Sequence, residues 1–181
     1  MLRCLLVVDP PGPSHEIDDD LVRHADDGVL LQLAWLELAG GLECFCRALF
    51  GLATEDKAAL LQSLAAGCDR LPADEARWTR ELLRLYPGDI GCLSPLFLRL
   101  IKLSPGQALY LGAGELHAYL KGTGLELMAN SDNVLRGGLT SKHVDTEELL
   151  RVLRFAASDA KILCADAGGV YPSECDAFAL T

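Results

Sequence analysis

The feature that most constrains the fold of this chain is a change of sequence texture near Gly88. Before this glycine, capping residues and glycine stops divide the chain into segments with apolar residues spaced three and four apart, which is typical of amphipathic helices. After it, alternating or continuous apolar runs are separated by Pro-Gly and Gly-x-Gly turns, which indicates short strands. The sequence therefore predicts an α+β fold, with an N-terminal helical region followed by an antiparallel sheet.

Residues 27–88 are predicted to form the helical region. Asp27 and Thr54 are candidate N-caps, and glycines end the segments that these residues begin. In the segment after Thr54, Leu60 and Leu64 fall on one stripe of the helix. Nothing in this region suggests chemistry, so we interpret it as a scaffold.

Three further segments are predicted outside this scaffold. Residues 1–26 are proline-rich and acidic after a short apolar run, and we expect an irregular leader there. His15 and His24 lie in this leader, and we interpret both as solvated, because a metal site needs several ligands in fixed geometry. The sequence DTEELLRVLRF, residues 145–155, predicts a short helix with Asp145 or Thr146 as its cap. Residues 156–181 are predicted to be a tail with one weak strand at 161–164.

Charge and apolar run length exclude several kinds of partner. The net charge is -10 without a cluster of lysine or arginine, so electrostatics would repel nucleic acid. The apolar runs are shorter than the ~18 residues that would span a bilayer, so no membrane segment is expected. The start of the chain has too short an apolar stretch for a secretory signal, which favours the cytoplasm.

The cysteine pattern is consistent with that compartment. The chain has 7 cysteines at irregular spacing, as expected for free thiols in a reducing environment. Cys44 and Cys46 form a C-x-C pair, but a zinc site would need a second pair of cysteines or histidines nearby. We therefore interpret these two residues as part of the core.

The span GELHAYLKGTGLELMANSDNVLRGGLT gathers a histidine, glutamates and an arginine among glycines and leucines. If HAYL and LELM are strands joined by a loop at 121–124, Leu120 lies opposite Leu125 and Tyr119 opposite Glu126. Because side chains alternate along a strand, this register separates two faces. The core face would hold Leu116, Ala118, Leu120, Leu125 and Leu127, and the polar face would hold Glu115, His117, Tyr119, Glu126 and Met128.

Two residues of this span have alternative interpretations. An imidazole diagonally across a hairpin from a carboxylate is a fragment of a metal or acid-base site, but His117 is equally consistent with a hydrogen-bonded histidine on a sheet surface. Arg136 is flanked by SDN and GG, so a backbone could approach a ligand closely beside its guanidinium. The alternative for Arg136 is a salt bridge to Asp132.

Several motifs together carry a family resemblance. YPGDIG, LSPLFLRL, the span from LSPGQALYLG to RGGLT, and SKHVDTEELLRVLRF resemble the type I mannose-6-phosphate isomerases, which are zinc enzymes of the cupin superfamily. The resemblance is strong over residues 82–155, looser back to Glu43 and absent at the N-terminus. It implies that residues 89–155 form a partial, incomplete cupin-like (jelly-roll) catalytic sheet.

The resemblance also implies a reaction and a set of site residues. The family interconverts mannose 6-phosphate and fructose 6-phosphate, which serves mannose metabolism and GDP-mannose biosynthesis. His117 matches the zinc-binding histidine of GELHAYL, and Arg136 matches the active-site arginine of SDNVLRGGLT. Glu126 and Lys142 match polar residues near the sugar phosphate. Zinc and Arg136 would stabilise an enediol-like state, with Glu126 as the candidate base and Lys142 as a candidate phosphate contact; the alternative for these last two is that they only orient their neighbours.

The sequence departs from the family in its metal ligands. The family's other ligands include a Gln-x-His motif, and no Gln-x-His occurs in this chain. The second jelly roll of the family is also missing. Three hypotheses follow: a truncated isomerase that is inactive alone, an isomerase completed by another chain, or a cupin-like sugar-phosphate binding or interaction module without catalysis. Unpaired sheet edges would favour self-association of the isolated protein.

Overall fold

The computed structural model describes residues 3–8, 41–130, 133–156 and 160–172. The elements in chain order are strand β1 (Arg3–Val8), helix α1 (41–51), α2 (Thr54–Gly67), α3 (Ala73–Leu85), α4 (Ser94–Phe97), β2 (Leu98–Leu103), β3 (Gln107–Leu109), β4 (His117–Lys121), α5 (Thr146–Val152) and β5 (Ile162–Cys164). Two 3-10 turns, Cys68–Arg70 and Ile90–Leu93, join the helices. The mixed α+β class predicted from the sequence is confirmed.

Two small antiparallel sheets contain the strands of the described residues. The larger sheet has the order β2-β1-β4, so β1 lies in the centre, with Leu5 opposite Ile101 on one side and opposite Tyr119 on the other. The second sheet pairs β3 with β5, and Leu109 lies opposite Ile162. The predicted strand at 161–164 is therefore confirmed, one residue shorter at its start. Strand β4, which carries His117, is placed by its pairing with β1.

The beginning of the predicted irregular leader is instead a strand. Arg3–Val8 pairs with both β2 and β4. The run CLLVV is apolar and rich in β-formers, and pairing on both sides satisfies its backbone groups. The rest of the leader, with His15 and His24, and the predicted cap Asp27 lie outside the described residues.

The described helices α1, α2 and α3 lie within the predicted helical region, residues 27–88. Leu60 and Leu64 of α2 are buried, as their spacing predicted, but the N-cap of α2 is Ala53 rather than Thr54. Phe45 of α1 meets Phe97 of α4 edge to face, with 5.4 Å between ring centroids, which joins α1 to the start of β2. No helix among the described residues is long and apolar enough to cross a membrane.

The structure also tests the predictions for the C-x-C pair and for the cap of α5. Cys46 is buried in the core, as predicted, while its neighbour Cys44 is only half-buried. Helix α5 begins after Asp145, whose side chain accepts a hydrogen bond from the Glu148 N–H at 3.0 Å. The predicted cap is confirmed, and α5 ends at Val152, before the predicted end at Phe155.

Candidate functional site

His117 lies at the start of β4, on the solvent side of the strand. Along β4, His117, Tyr119 and Lys121 are exposed, whereas Ala118 and Leu120 are half-buried against the core. The predicted separation of polar and apolar faces is therefore confirmed for this strand. The imidazole Nδ1 lies 2.9 Å from the Glu115 carbonyl oxygen, and the ring meets Tyr119 edge to face at 5.9 Å. With Nδ1 engaged, a ligand would be reached through Nε2.

The predicted hairpin between HAYL and LELM is wrong. Residues 125–128 form no strand, and the described partner of β4 is β1. Leu125 is 90% exposed and Leu127 44% exposed, so neither belongs to the predicted core face. The chain leaves β4 through Gly122, which has φ 127°, and the continuous apolar run of β1 provides a better partner than LELM, in which a glutamate interrupts the leucines.

One contact of the predicted hairpin is nevertheless present between side chains. The Tyr119 hydroxyl donates a 2.8 Å hydrogen bond to Glu126 Oε1. Tyr119 also meets the His117 ring, so it lies between the imidazole and the carboxylate. The structure therefore brings Glu126 to the exposed face of β4, as the sequence predicted.

Arg136 begins the segment 136–140, which we call the RGGLT segment. This segment packs beside the residue that precedes His117, because a Cβ added at Gly137 would lie 2.6 Å from Leu116 Cδ1. At its other end the Thr140 N–H donates to Asp89 Oδ2 at 3.3 Å. The half-buried Arg136 is thus carried by a segment that contacts the start of β4. Asp132, its alternative partner, lies outside the described residues.

Lys142 follows the RGGLT segment closely and is exposed. Its backbone N–H donates to Thr140 Oγ1 at 3.1 Å, which closes a tight turn after the segment. The position of Lys142 is therefore tied to that of Arg136 through Thr140. The two basic residues extend from one connected piece of backbone.

Part of the chain is similar in sequence to known mannose-6-phosphate isomerases. The chain is 43% identical over 115 residues to the mannose-6-phosphate isomerase of Escherichia coli K12, covering 64% of this chain and 29% of that protein. It is 48% identical over 95 residues to mannose-6-phosphate isomerase 1 of Arabidopsis thaliana, covering 52% of this chain and 22% of the relative. The chain is similar in sequence to part of these mannose-6-phosphate isomerases.

Solved structures give the same result. The apo mannose 6-phosphate isomerase of Salmonella typhimurium matches with a TM-score of 0.82 and 29% identity, covering 99% of this chain and 47% of that one. The Salmonella isomerase bound to its substrate, fructose 6-phosphate, and zinc matches with a TM-score of 0.80 and the same identity and coverage. No protein-family model matches the chain. The chain spans 29% of the Escherichia coli isomerase and about half (47%) of the Salmonella chain.

The candidate metal ligands of this chain do not form a complete site within the described residues. Across residues 3–8, 41–130, 133–156 and 160–172, no group of three or more His, Cys, Asp or Glu side chains could hold a metal ion. A zinc site needs three or four protein ligands, and His117 is a single candidate. The described residues therefore do not fit zinc by themselves, and we derive no chemical step from it.

Sequence reasoning missed the residues that hold this site in place. Asp89 anchors the RGGLT segment by accepting hydrogen bonds from the Gly91 and Thr140 amides. The sequence signal that could have indicated Asp89 is the YPGDIG motif, in which an aspartate follows a Pro-Gly turn. On the other side, the Arg154 backbone N–H donates to the Gly114 carbonyl at 2.9 Å, and its guanidinium lies 3.4 Å from Glu115 Oε1. The residue pair just after α5, Leu153 and Arg154, thus holds the turn that leads into His117 through Arg154.

A buried thiol lies beside the Asp89 anchor. Cys92 is fully buried, and its Sγ donates to the Tyr86 carbonyl at 3.3 Å. Burial, with a smaller contribution from the Asp89 carboxylate, raises the pKa of Cys92 from 9.0 to about 12. This cysteine is a neutral part of the core at physiological pH and no candidate nucleophile.

Proposed function

We propose that this chain acts in the interconversion of mannose 6-phosphate and fructose 6-phosphate, as an aldose-ketose isomerase. The observation that carries the proposal is the match of 99% of the chain, at 29% identity and a TM-score of 0.80, to an isomerase bound to fructose 6-phosphate and zinc. The packing of the RGGLT segment against Leu116 supports it, since this contact brings the segments of Arg136 and His117 together.

The residue types suit the proposed reaction. A base removes the proton from C2 of the open-chain aldose and returns it to C1, while O1 gains a proton and O2 loses one. Glu126 would be this base, with Oε1 held by the Tyr119 hydroxyl and Oε2 left to take the proton. The guanidinium of Arg136 would stabilise the negative charge that develops on the enediol oxygens, and Lys142 would bind the phosphate.

We also propose that the complete site holds zinc. Isomerase relatives have been solved with zinc bound. His117 would supply one ligand through Nε2, and further ligands would come from outside the described residues or from another chain.

Zinc content and isomerase turnover of the purified chain test this proposal. We expect His117→Ala to remove both metal and turnover, because each ligand is needed to define the site. The matched control is His143→Ala, an exposed histidine that the proposal leaves without a role. Metal and turnover that survive His117→Ala, or a wild-type chain with neither, would rule out the isomerase assignment for this molecule.

The second candidate is a non-catalytic cupin-like module that binds a sugar phosphate or another protein. The observation that favours it is the lack of a three-ligand group in the described part of the chain. Saturable binding of fructose 6-phosphate in the presence of a chelator, without turnover when zinc is added, would favour this module over the isomerase.

The remaining assignments follow from the isomerase proposal. Residues 27–88 would be the scaffold, 89–155 the catalytic part and 156–181 a tail, in a cytoplasmic protein that contributes to GDP-mannose biosynthesis.

Sheet edges such as that of β4 would allow self-association. Sedimentation at rising protein concentration tests this, and a constant sedimentation coefficient would exclude it.

A further inference from the structure

The RGGLT segment needs an external support to keep its conformation. It forms neither helix nor strand, yet it contains Gly138 at φ 129° and Leu139 at φ 52°. A leucine with positive φ is uncommon, and such a backbone persists only when its surroundings hold it there. The residues that hold this segment in place therefore also determine the position of Arg136.

Asp89 provides this support through both of its carboxylate oxygens. Oδ1 accepts the Gly91 N–H at 2.7 Å, which begins the 3-10 turn Ile90–Leu93. Oδ2 accepts the Thr140 N–H at 3.3 Å, from a residue 51 positions later in the sequence. One side chain therefore joins the YPGDIG turn to the end of the RGGLT segment.

The backbones packed around this carboxylate leave no room for side chains. A Cβ added at Gly138 would lie 2.8 Å from Asp89 Oδ1 and 3.2 Å from Gly91 Cα, and one at Gly91 would lie 3.0 Å from the Leu139 nitrogen. These distances are shorter than ordinary contacts, so both glycines allow the two backbones to approach. With Leu116 against Gly137, the segment is clamped from two sides.

We propose that Asp89 is a positioning residue, which holds the RGGLT segment against the Ile90–Leu93 turn and thereby presents Arg136 to the sugar phosphate. The inference rests on the proposed function, since it gives Arg136 a ligand. Asp89 itself does not touch the substrate; it acts through the Thr140 N–H and the backbone between Thr140 and Arg136.

A double-mutant cycle in the affinity for fructose 6-phosphate tests this role with the full 181-residue chain. We expect Asp89→Ala to weaken binding of this sugar phosphate about tenfold, the usual size for a lost hydrogen bond to a charged group. In an Arg136→Ala background the same change should have no further effect, because both substitutions remove one interaction. A purely structural role would instead weaken binding by the same factor in both backgrounds, and that result would overturn the proposal.

Hydrogen exchange of the Thr140 amide is the second measurement, and it does not depend on ligand binding. Asp89→Ala should raise its exchange rate about tenfold through loss of the hydrogen bond. Asp89→Asn, which retains one carbonyl acceptor and the shape of the side chain, should have a smaller effect and keeps the test available if the alanine variant fails to fold. Asp56→Asn, an exposed aspartate in the first turn of α2, is the matched control and should change neither measurement.

The two measurements separate failure of this inference from failure of the proposed function. If the wild-type chain binds no fructose 6-phosphate, the proposed function fails. Independently of ligand binding, an unchanged exchange rate of the Thr140 amide in both Asp89 variants would overturn the positioning role of Asp89. If the sugar phosphate binds and its binding depends on Arg136 but not on Asp89, the proposed function stands and the positioning role is overturned.

Discussion

At the scale of single residues, Asp89 and Tyr119 hold two candidate parts of the site in place. Tyr119 fixes the Glu126 carboxylate by a hydrogen bond of 2.8 Å, and Asp89 fixes the Thr140 amide near Arg136. The sequence predicted that Glu126 and Tyr119 meet, because the alternation of HAYL and LELM placed them opposite one another. It could not predict Asp89, because its contact spans 51 positions and leaves no local pattern.

The same carboxylate contributes to a pH dependence of stability at Cys92. Burial raises the pKa of this thiol from 9.0 to about 12. Between these two pH values, the folded state therefore keeps the proton that the unfolded chain releases. The contribution of the neutral thiol to the free energy of unfolding is therefore present below pH 9 and is lost as the pH rises through about 12.

The measurement is chemical denaturation of the wild type and Cys92→Ala at several pH values between about 8 and 11, which bracket the ordinary pKa of a thiol. At the lowest pH the alanine variant should be less stable, because it leaves a small cavity. We expect the gap to narrow as the pH rises above 9, since only the wild type loses the thiol contribution. Cys164→Ala, at an exposed position, is the control and should keep a constant difference from the wild type. A constant gap for Cys92→Ala would contradict the shifted pKa.

At the scale of elements, the turn before β4 is fixed by the end of α5. Gly114 has φ 80°, and a Cβ added to it would lie 2.6 Å from the Val152 carbonyl oxygen. Gly106 has nearly the same φ, 82°, with nothing within 4 Å of its added Cβ. The two glycines therefore share a backbone conformation and differ in the approach of a second element.

This pair allows a matched substitution experiment. Gly106→Ala should lower the free energy of unfolding by about 1 kcal/mol, the cost of a left-handed backbone with a side chain. Gly114→Ala should cost about 2 kcal/mol more than that, because the Val152 carbonyl must also move. Urea denaturation of the two variants measures the difference. Equal losses would show that α5 does not support the turn that leads into His117.

The success of the sequence predictions also differs between kinds of element. Helix α5 and its cap Asp145 were predicted, because the signals of a helix lie within a few residues of each other. Strand β1 was not, because its partners β2 and β4 lie far along the chain and the proline-rich sequence after it favoured an irregular leader. The hairpin was wrong for the same reason: β1 pairs with β4, and residues 125–128 form no strand.

At the scale of the whole molecule, the chain is similar to part of the mannose-6-phosphate isomerases and spans only part of their length. The chain covers 47% of the Salmonella isomerase and carries one candidate zinc ligand of the family, His117. Its net charge of -10 gives no general attraction for a phosphate, so binding would depend on local cations such as Arg136 and Lys142. The candidate site residues were predicted from the sequence by resemblance, and the absence of a Gln-x-His motif predicted that His117 would lack part of the family's ligand set.

The most direct test of the central claim, that this chain holds a sugar-phosphate site built around Arg136, is a calorimetric titration with fructose 6-phosphate. We expect saturable binding to the wild type, weakened about tenfold or more in Arg136→Ala through loss of a charge-assisted contact. Arg77→Ala, on the exposed side of α3 where the guanidinium lies 4.9 Å from the Trp78 ring, is the control and should bind as the wild type does. No saturable binding to the wild type, or equal affinity in the wild type and Arg136→Ala, would contradict the claim.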